Sequence, residues 1–127
     1  KQIESNALKL ARELNKHPLV DKVYHPALDT SENHNIWKRD FTGSTGLFSF
    51  SLKKFYPQSK IKKMFSKISI FKLGYSWGGY DSLITFPPLS KRKFKTLLKG
   101  NLIRVYCGLE DSSDQIKDII NSLKTLK

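Results

Sequence analysis

"NLIRVYCGLEDSSDQIKDIINSLKTLK" (residues 101–127) carries two hydrophobic periods in succession. The first half has period two. Ile103, Val105 and Cys107 share one side, while Leu102, Arg104 and Tyr106 share the other, which predicts a strand. The second half has the helical period, with Ile116, Ile119, Ile120, Leu123 and Leu126 on one side. "EDSSD" supplies N-cap candidates and acidic residues at the start of this helix, and lysines close it. A strand that runs straight into an amphipathic helix predicts helices packed on a sheet. The all-apolar side of the strand should meet those helices, which leaves Arg104 on the opposite face.

Working outward, the other segments fit the same plan. Ile3, Ala7, Leu10, Ala11 and Leu14 recur at helical spacing, and "KHP" (16–18) ends that helix. "VDKVYHPAL" (20–28) reads as a short strand ending at His25-Pro26, and residues 27–45 read as a long loop. "GLFSFSL" (46–52) alternates Phe48, Phe50 and Leu52 with serines, a half-buried strand. Pro57 and Ser59 open a second helix carrying Ile61, Met64, Phe65 and Ile68, and "ISIFKLG" (68–74) reads as a strand. "FPPLSKRKFKTLLKG" (86–100) reads as a loop with one helical turn. The expected fold is α/β (α+β): a small, mostly antiparallel sheet with helices on one face, in a single domain spanning 1–127.

Composition narrows the function classes. The one cysteine, Cys107, excludes an intramolecular disulfide and offers no zinc cluster. No apolar run approaches the ~20 residues that span a bilayer. The start, "KQIESNALKLARELNKHP", has neither an initiator methionine nor a signal-peptide core, so the expectation is a piece of a longer cytoplasmic chain. A net charge of +12 would suit a nucleic acid or an acidic membrane. The lysines are dispersed, however, with runs only at "KIKKMFSK" (60–67) and "SKRKFKTLLKG" (90–100), and a solvated surface is the favoured reading.

Two features invite chemistry. Arg104 sits among apolar strand residues, where a guanidinium is costly unless it meets an anion. That anion is either a ligand carboxylate or a structural partner such as Asp40, Glu110 or Asp111, and spacing leaves the two even. "YSWGGY" (75–80) puts a hydroxyl and an indole N–H on a glycine turn. Its alternative is a tight turn whose aromatics fill the core. "GSTG" (43–46) reads as a plain turn, since it lacks the spacing of a phosphate loop. His17, His25 and His34 share no metal-ligand spacing, and Cys107 reads as buried and inert.

Three segments in order give the chain a resemblance: "HNIWKRDFTGSTGLFSFSL" (34–52), "FKLGYSWGGYDSLI" (71–84) and "LIRVYCGLEDSSDQIKDI" (102–119). Nearly all of the chain resembles the C-terminal domain of the Cys/Met-metabolism pyridoxal-phosphate enzymes, and the Tyr-Ser-Trp-Gly-Gly form is similar to their bacterial cystathionine β-lyase branch. The resemblance implies that Arg104 holds the substrate α-carboxylate and that Ser76 helps position the catalytic lysine amine. It implies that Trp77 assists at the carboxylate and that Tyr75 borders the pocket. The implied cofactor is pyridoxal phosphate, and the implied reaction yields homocysteine, pyruvate and ammonia from cystathionine. The family's Schiff-base lysine belongs to an upstream large domain, and no matching motif occurs here. The implied partner is therefore that large domain, with the isolated chain expected to be inactive.

The stretch carrying Lys91, Arg92, Lys93 and Lys95 is shorter and more basic than the family pattern. Two rival readings are a basic nucleic-acid-binding module and a non-catalytic interaction module. An exposed apolar patch around Tyr75, Trp77 and Phe86 would count against the first.

Overall fold

The computed structural model describes residues 1–87 and 97–126. Helix α1 (Gln2–Asn15) leads into strand β1 (Val20–Tyr24), helix α2 (His34–Asp40) and strand β2 (Leu47–Leu52). Helix α3 (Gln58–Ser66), the short strands β3 (Lys72–Leu73) and β4 (Leu83–Thr85), and strand β5 (Leu102–Tyr106) follow. Helix α4 (Ser112–Leu123) closes the fold with a 3-10 turn, Lys124–Leu126. The sheet order is β1-β2-β5-β4-β3; every pairing is antiparallel except β3 with β4.

The register of β2 on β5 builds the core. Phe48 lies opposite Val105 and Phe50 opposite Ile103, so these four side chains share one face. All four are buried together with Leu10, Ala11 and Leu14 of α1 and Ile119 and Leu123 of α4. Helices α1 and α3 both pack on α4. The alternation expected in β5 is present: Ile103, Val105 and Cys107 are buried in the core, and Arg104, half-buried, pairs with Ser49 on the other face. At the start of α4, Asp111 is the N-cap, accepting from the amides of Ser113 (2.8 Å) and Asp114 (3.3 Å).

The structure corrects two expectations. The expected loop at 27–45 contains α2, a helix that buries none of its residues. The expected strand at 68–74 shrinks to Lys72–Leu73, because the preceding amides are spent elsewhere. The Asp118 carboxylate on α4 accepts from the backbone N–H groups of Ser69, Ile70 and Phe71, at 2.8–2.9 Å. Those groups are thereby unavailable to a sheet ladder. The helical turn expected within 86–100 falls largely on residues 88–96, outside the described residues. Among the described residues no helix is long and apolar enough to cross a membrane.

Candidate functional site

The segment 74–82 links β3 to β4 at the outer edge of the sheet. A parallel pair cannot be joined by a hairpin, so the chain must loop out before it re-enters the sheet. Gly78 makes this possible with φ of 91°, a left-handed backbone that side chains disfavour. The loop presents Tyr75, Ser76, Trp77 and Tyr80 to solvent, with Tyr75, Trp77 and Tyr80 each 65–73 % exposed. These aromatics do not fill the core.

Arg104 joins this loop to the centre of the sheet. Its Nη2 donates to the carbonyl oxygen of Tyr75. None of the carboxylates weighed as structural partners takes it. Asp40 pairs with Arg39 (2.7 Å), Asp111 caps α4, and Glu110 binds Ser82. The guanidinium therefore stands at the foot of Tyr75-Ser76-Trp77 with a neutral carbonyl as its recorded acceptor. A carboxylate arriving there would be a stronger acceptor, because it carries the opposite charge and can take two parallel bonds from the guanidinium.

Sequence reasoning missed the supports beneath the loop. Tyr106 donates its hydroxyl to the Gly79 carbonyl (2.8 Å), and the Leu109 amide donates to the Tyr80 carbonyl (2.9 Å). The Glu110 carboxylate accepts from the Ser82 hydroxyl (2.6 Å) and amide (3.0 Å). Burial alone would raise the Glu110 carboxyl, but the bonds from Ser82 and Gln115 outweigh it and hold the group below its usual range. The Ser82 hydroxyl oxygen also accepts from the Gly108 amide (2.8 Å) and the Gln115 side chain (3.0 Å). Gly108 has no room for a side chain: a Cβ there would sit 2.0 Å from the Tyr80 carbonyl oxygen. "CGLED" is thus a platform for the loop, a role that only its spacing in three dimensions reveals.

Of the three residues named for a discriminating apolar patch, Tyr75 and Trp77 are exposed and Phe86 is not. Leu73 and Leu109 are exposed along with Tyr75, Trp77 and Tyr80, whereas Phe86 is half-buried and packs edge-on against Phe65 (6.1 Å). The remaining candidates are structural. Burial pushes the Cys107 thiol up to about 12, so it is a poor nucleophile. "GSTG" feeds β2: Thr45 accepts from the Leu47 amide (3.1 Å), and a Cβ on Gly46 would lie 2.5 Å from the Cys107 carbonyl oxygen. His17 and His25 accept backbone amides through Nδ1, and among the described residues no cluster of His, Cys, Asp and Glu could hold a metal. Every described lysine is exposed.

A family model for Cys/Met metabolism PLP-dependent enzymes matches residues 1–124. The chain is 43 % identical over 128 positions to a cystathionine beta-lyase of Escherichia coli K12, covering 94 % of this chain and 31 % of that protein. It is 37 % identical to an L-alanine/L-glutamate racemase of Wolbachia pipientis wMel, covering 99 % of this chain and 32 % of that protein. A solved O-acetylhomoserine (thiol)-lyase from Campylobacter jejuni, carrying N'-pyridoxyl-lysine-5'-monophosphate, superposes with a TM-score of 0.79 at 30 % identity. That alignment covers 97 % of this chain and 28 % of the other. The chain spans about a third of the length of the curated relatives it matches.

Proposed function

The chain belongs to the Cys/Met-metabolism pyridoxal-phosphate-dependent enzymes, and from that premise we propose that it is the C-terminal small domain of a cystathionine β-lyase. Three relatives named as cystathionine beta-lyases, at 37–43 % identity, support this choice. A cystathionine gamma-lyase of Sus scrofa also matches, at 34 % identity, so the thioether preference rests on the Tyr75-Ser76-Trp77-Gly78-Gly79 form of the loop. The observation that carries the reading is the Arg104 guanidinium, brought by the sheet to the foot of that loop.

The residues present fit one end of a cofactor site. An exposed hydroxyl and an indole N–H lie on the loop whose backbone the guanidinium holds, donor types that suit a carboxylate and a neighbouring amine. A lysine that carries a cofactor covalently must be desolvated or otherwise activated, and the described lysines all lie in water. The resemblance implies that the lysine and the phosphate cradle belong to an upstream large domain, and on this reading the chain alone is inactive. Pyridoxal phosphate, the family's cofactor, supplies an electron sink at the substrate Cα when bound.

This chain's residues orient the substrate. Arg104 exchanges the Tyr75 carbonyl for two parallel bonds to the substrate α-carboxylate, with Trp77 Nε1–H as an additional donor. Fixing the carboxylate fixes which Cα bond stands ready to break. The Ser76 hydroxyl holds the incoming lysine amine, and Tyr75 walls the pocket. We assign the protein to the cytoplasm, as a member of a family of metabolic enzymes. The test is to combine the chain with the upstream remainder of the E. coli β-lyase, add pyridoxal phosphate, and assay pyruvate from cystathionine. Pyruvate formed only by the pair supports the reading; a stable, cofactor-loaded complex that forms none overturns it.

A further inference from the structure

Residues 75–79 lie outside the sheet with little packing to fix their path. Gly78 and Gly79 both have wide backbone freedom, and Gly78 uses it at φ of 91°. Among the described residues, a Cβ added to either glycine would meet nothing within 4 Å, so no packing holds this part of the loop. Trp77 stands directly before the pair and is itself exposed. What directs its indole is the hydrogen bonding of the backbone around it.

Among the described residues two such bonds hold residues 75–79, and both come from β5. Arg104 donates to the Tyr75 carbonyl, and the Tyr106 hydroxyl donates to the Gly79 carbonyl (2.8 Å). Residues two apart on a strand share a face, so the two side chains together bracket Ser76, Trp77 and Gly78. A substrate treats the two bonds differently. A carboxylate that takes the Arg104 guanidinium releases the Tyr75 carbonyl, whereas Tyr106 offers no charge and is only 4 % exposed. The Gly79 end is then the end that stays fixed. Gly79 is exposed, and water would take its carbonyl if the hydroxyl were absent. The bond thus adds little to stability; its effect is to place the loop.

We propose that Tyr106 is a positioning residue for the reaction: its hydroxyl, through Gly79, keeps the Trp77 indole and the Ser76 hydroxyl aimed while Arg104 is engaged with the substrate carboxylate. The inference rests on the lyase reading above and gives that site a second fixed point. A tyrosine that merely filled space would serve equally well as phenylalanine, because the ring is buried and only the hydroxyl bonds to the loop.

The test is Tyr106→Phe, which removes only that hydroxyl and should leave the thermal midpoint within about 3 °C of wild type. In the uniformly ¹⁵N-labelled chain, the ¹H–¹⁵N NOE of the Trp77 indole should fall as the loop gains motion. The indole of Trp37, bonded to the Gly43 carbonyl, should keep its value. With the chain paired to the upstream remainder of the E. coli β-lyase and loaded with pyridoxal phosphate, kcat for pyruvate from cystathionine should drop about tenfold. KM should change by less than about threefold, because Arg104 still anchors the carboxylate. An unchanged Trp77 NOE, a kcat within about twofold of wild type, or a kcat loss matched by a heavily lowered midpoint would overturn the inference alone. A stable, cofactor-loaded wild-type pair that forms no pyruvate fails the lyase reading itself, and this inference with it.

Discussion

Removing the Asp118 carboxylate should destabilise the fold by an amount that can be worked from its bonds. It accepts from the amides of Ser69 (2.8 Å), Ile70 (2.8 Å) and Phe71 (2.9 Å), and from the Ser69 hydroxyl (3.2 Å). Ser69 is exposed, so water replaces its lost bonds; Ile70 is half-buried, and Phe71 is buried. Leaving a buried N–H unsatisfied costs about 1–3 kcal/mol, and bonds to a charged acceptor lie at the upper end. Taking about 2 kcal/mol for Phe71, about 1 for Ile70 and little for Ser69 gives about 3 kcal/mol for Asp118→Ala. Asp118→Asn keeps one acceptor oxygen and should lose about half as much. Urea unfolding of the two variants, with equal m-values, measures both losses. A loss below about 1 kcal/mol for Asp118→Ala would refute the claim that these amides depend on the carboxylate. Since β3 and the loop at 74–82 follow immediately, the variant should also broaden the backbone signals of that segment.

Two further predictions concern the platform and the buried histidine. Gly108→Ala forces a Cβ into the Tyr80 carbonyl and should cost about 3 kcal/mol, the upper end for overpacking, as read by thermal or urea unfolding. Burial, helped by the Arg12 charge and opposed by Glu4, holds the His25 ring below its ordinary 6.5. The unfolded chain therefore binds a proton more readily than the fold. Stability should be complete above pH 6.5 and fall as the pH drops from there toward the lowered folded value, a slope absent in His25→Phe.

How much was legible depends on whether a residue's neighbours are near it in sequence. The alternation in β2 and β5 and the helical stripe of α4 face one core, so periodicity alone placed Phe48, Phe50, Ile103, Val105, Ile119 and Leu123. The same alternation set Arg104 apart, although only the fold shows its guanidinium at the Tyr75 carbonyl. Helix α2 escaped because its apolar side chains meet a cavity and no core selects their spacing. The strand at 68–74 was overestimated because its apolar composition says nothing of Asp118, 47–49 residues away. The Ser82–Glu110–Gln115 network escaped for the same reason, its bonds to Ser82 spanning 28 and 33 residues. Glu110 was visible as a possible partner for Arg104 and as an acidic residue ahead of α4, whereas the fold pairs it with Ser82.

The central claim is that Arg104 binds the substrate carboxylate. The direct measurement is kcat/KM for pyruvate formation from cystathionine by the reconstituted enzyme carrying Arg104→Ala, alongside the thermal midpoint of the same variant. Two charge-assisted bonds are worth about 3–4 kcal/mol together, so kcat/KM should fall by roughly 10²–10³-fold. The guanidinium's recorded bond in the free domain is to one backbone carbonyl, so the midpoint should shift by no more than about 3 °C. A variant that loses stability heavily while keeping kcat/KM within tenfold would make Arg104 a brace for the loop and contradict the account.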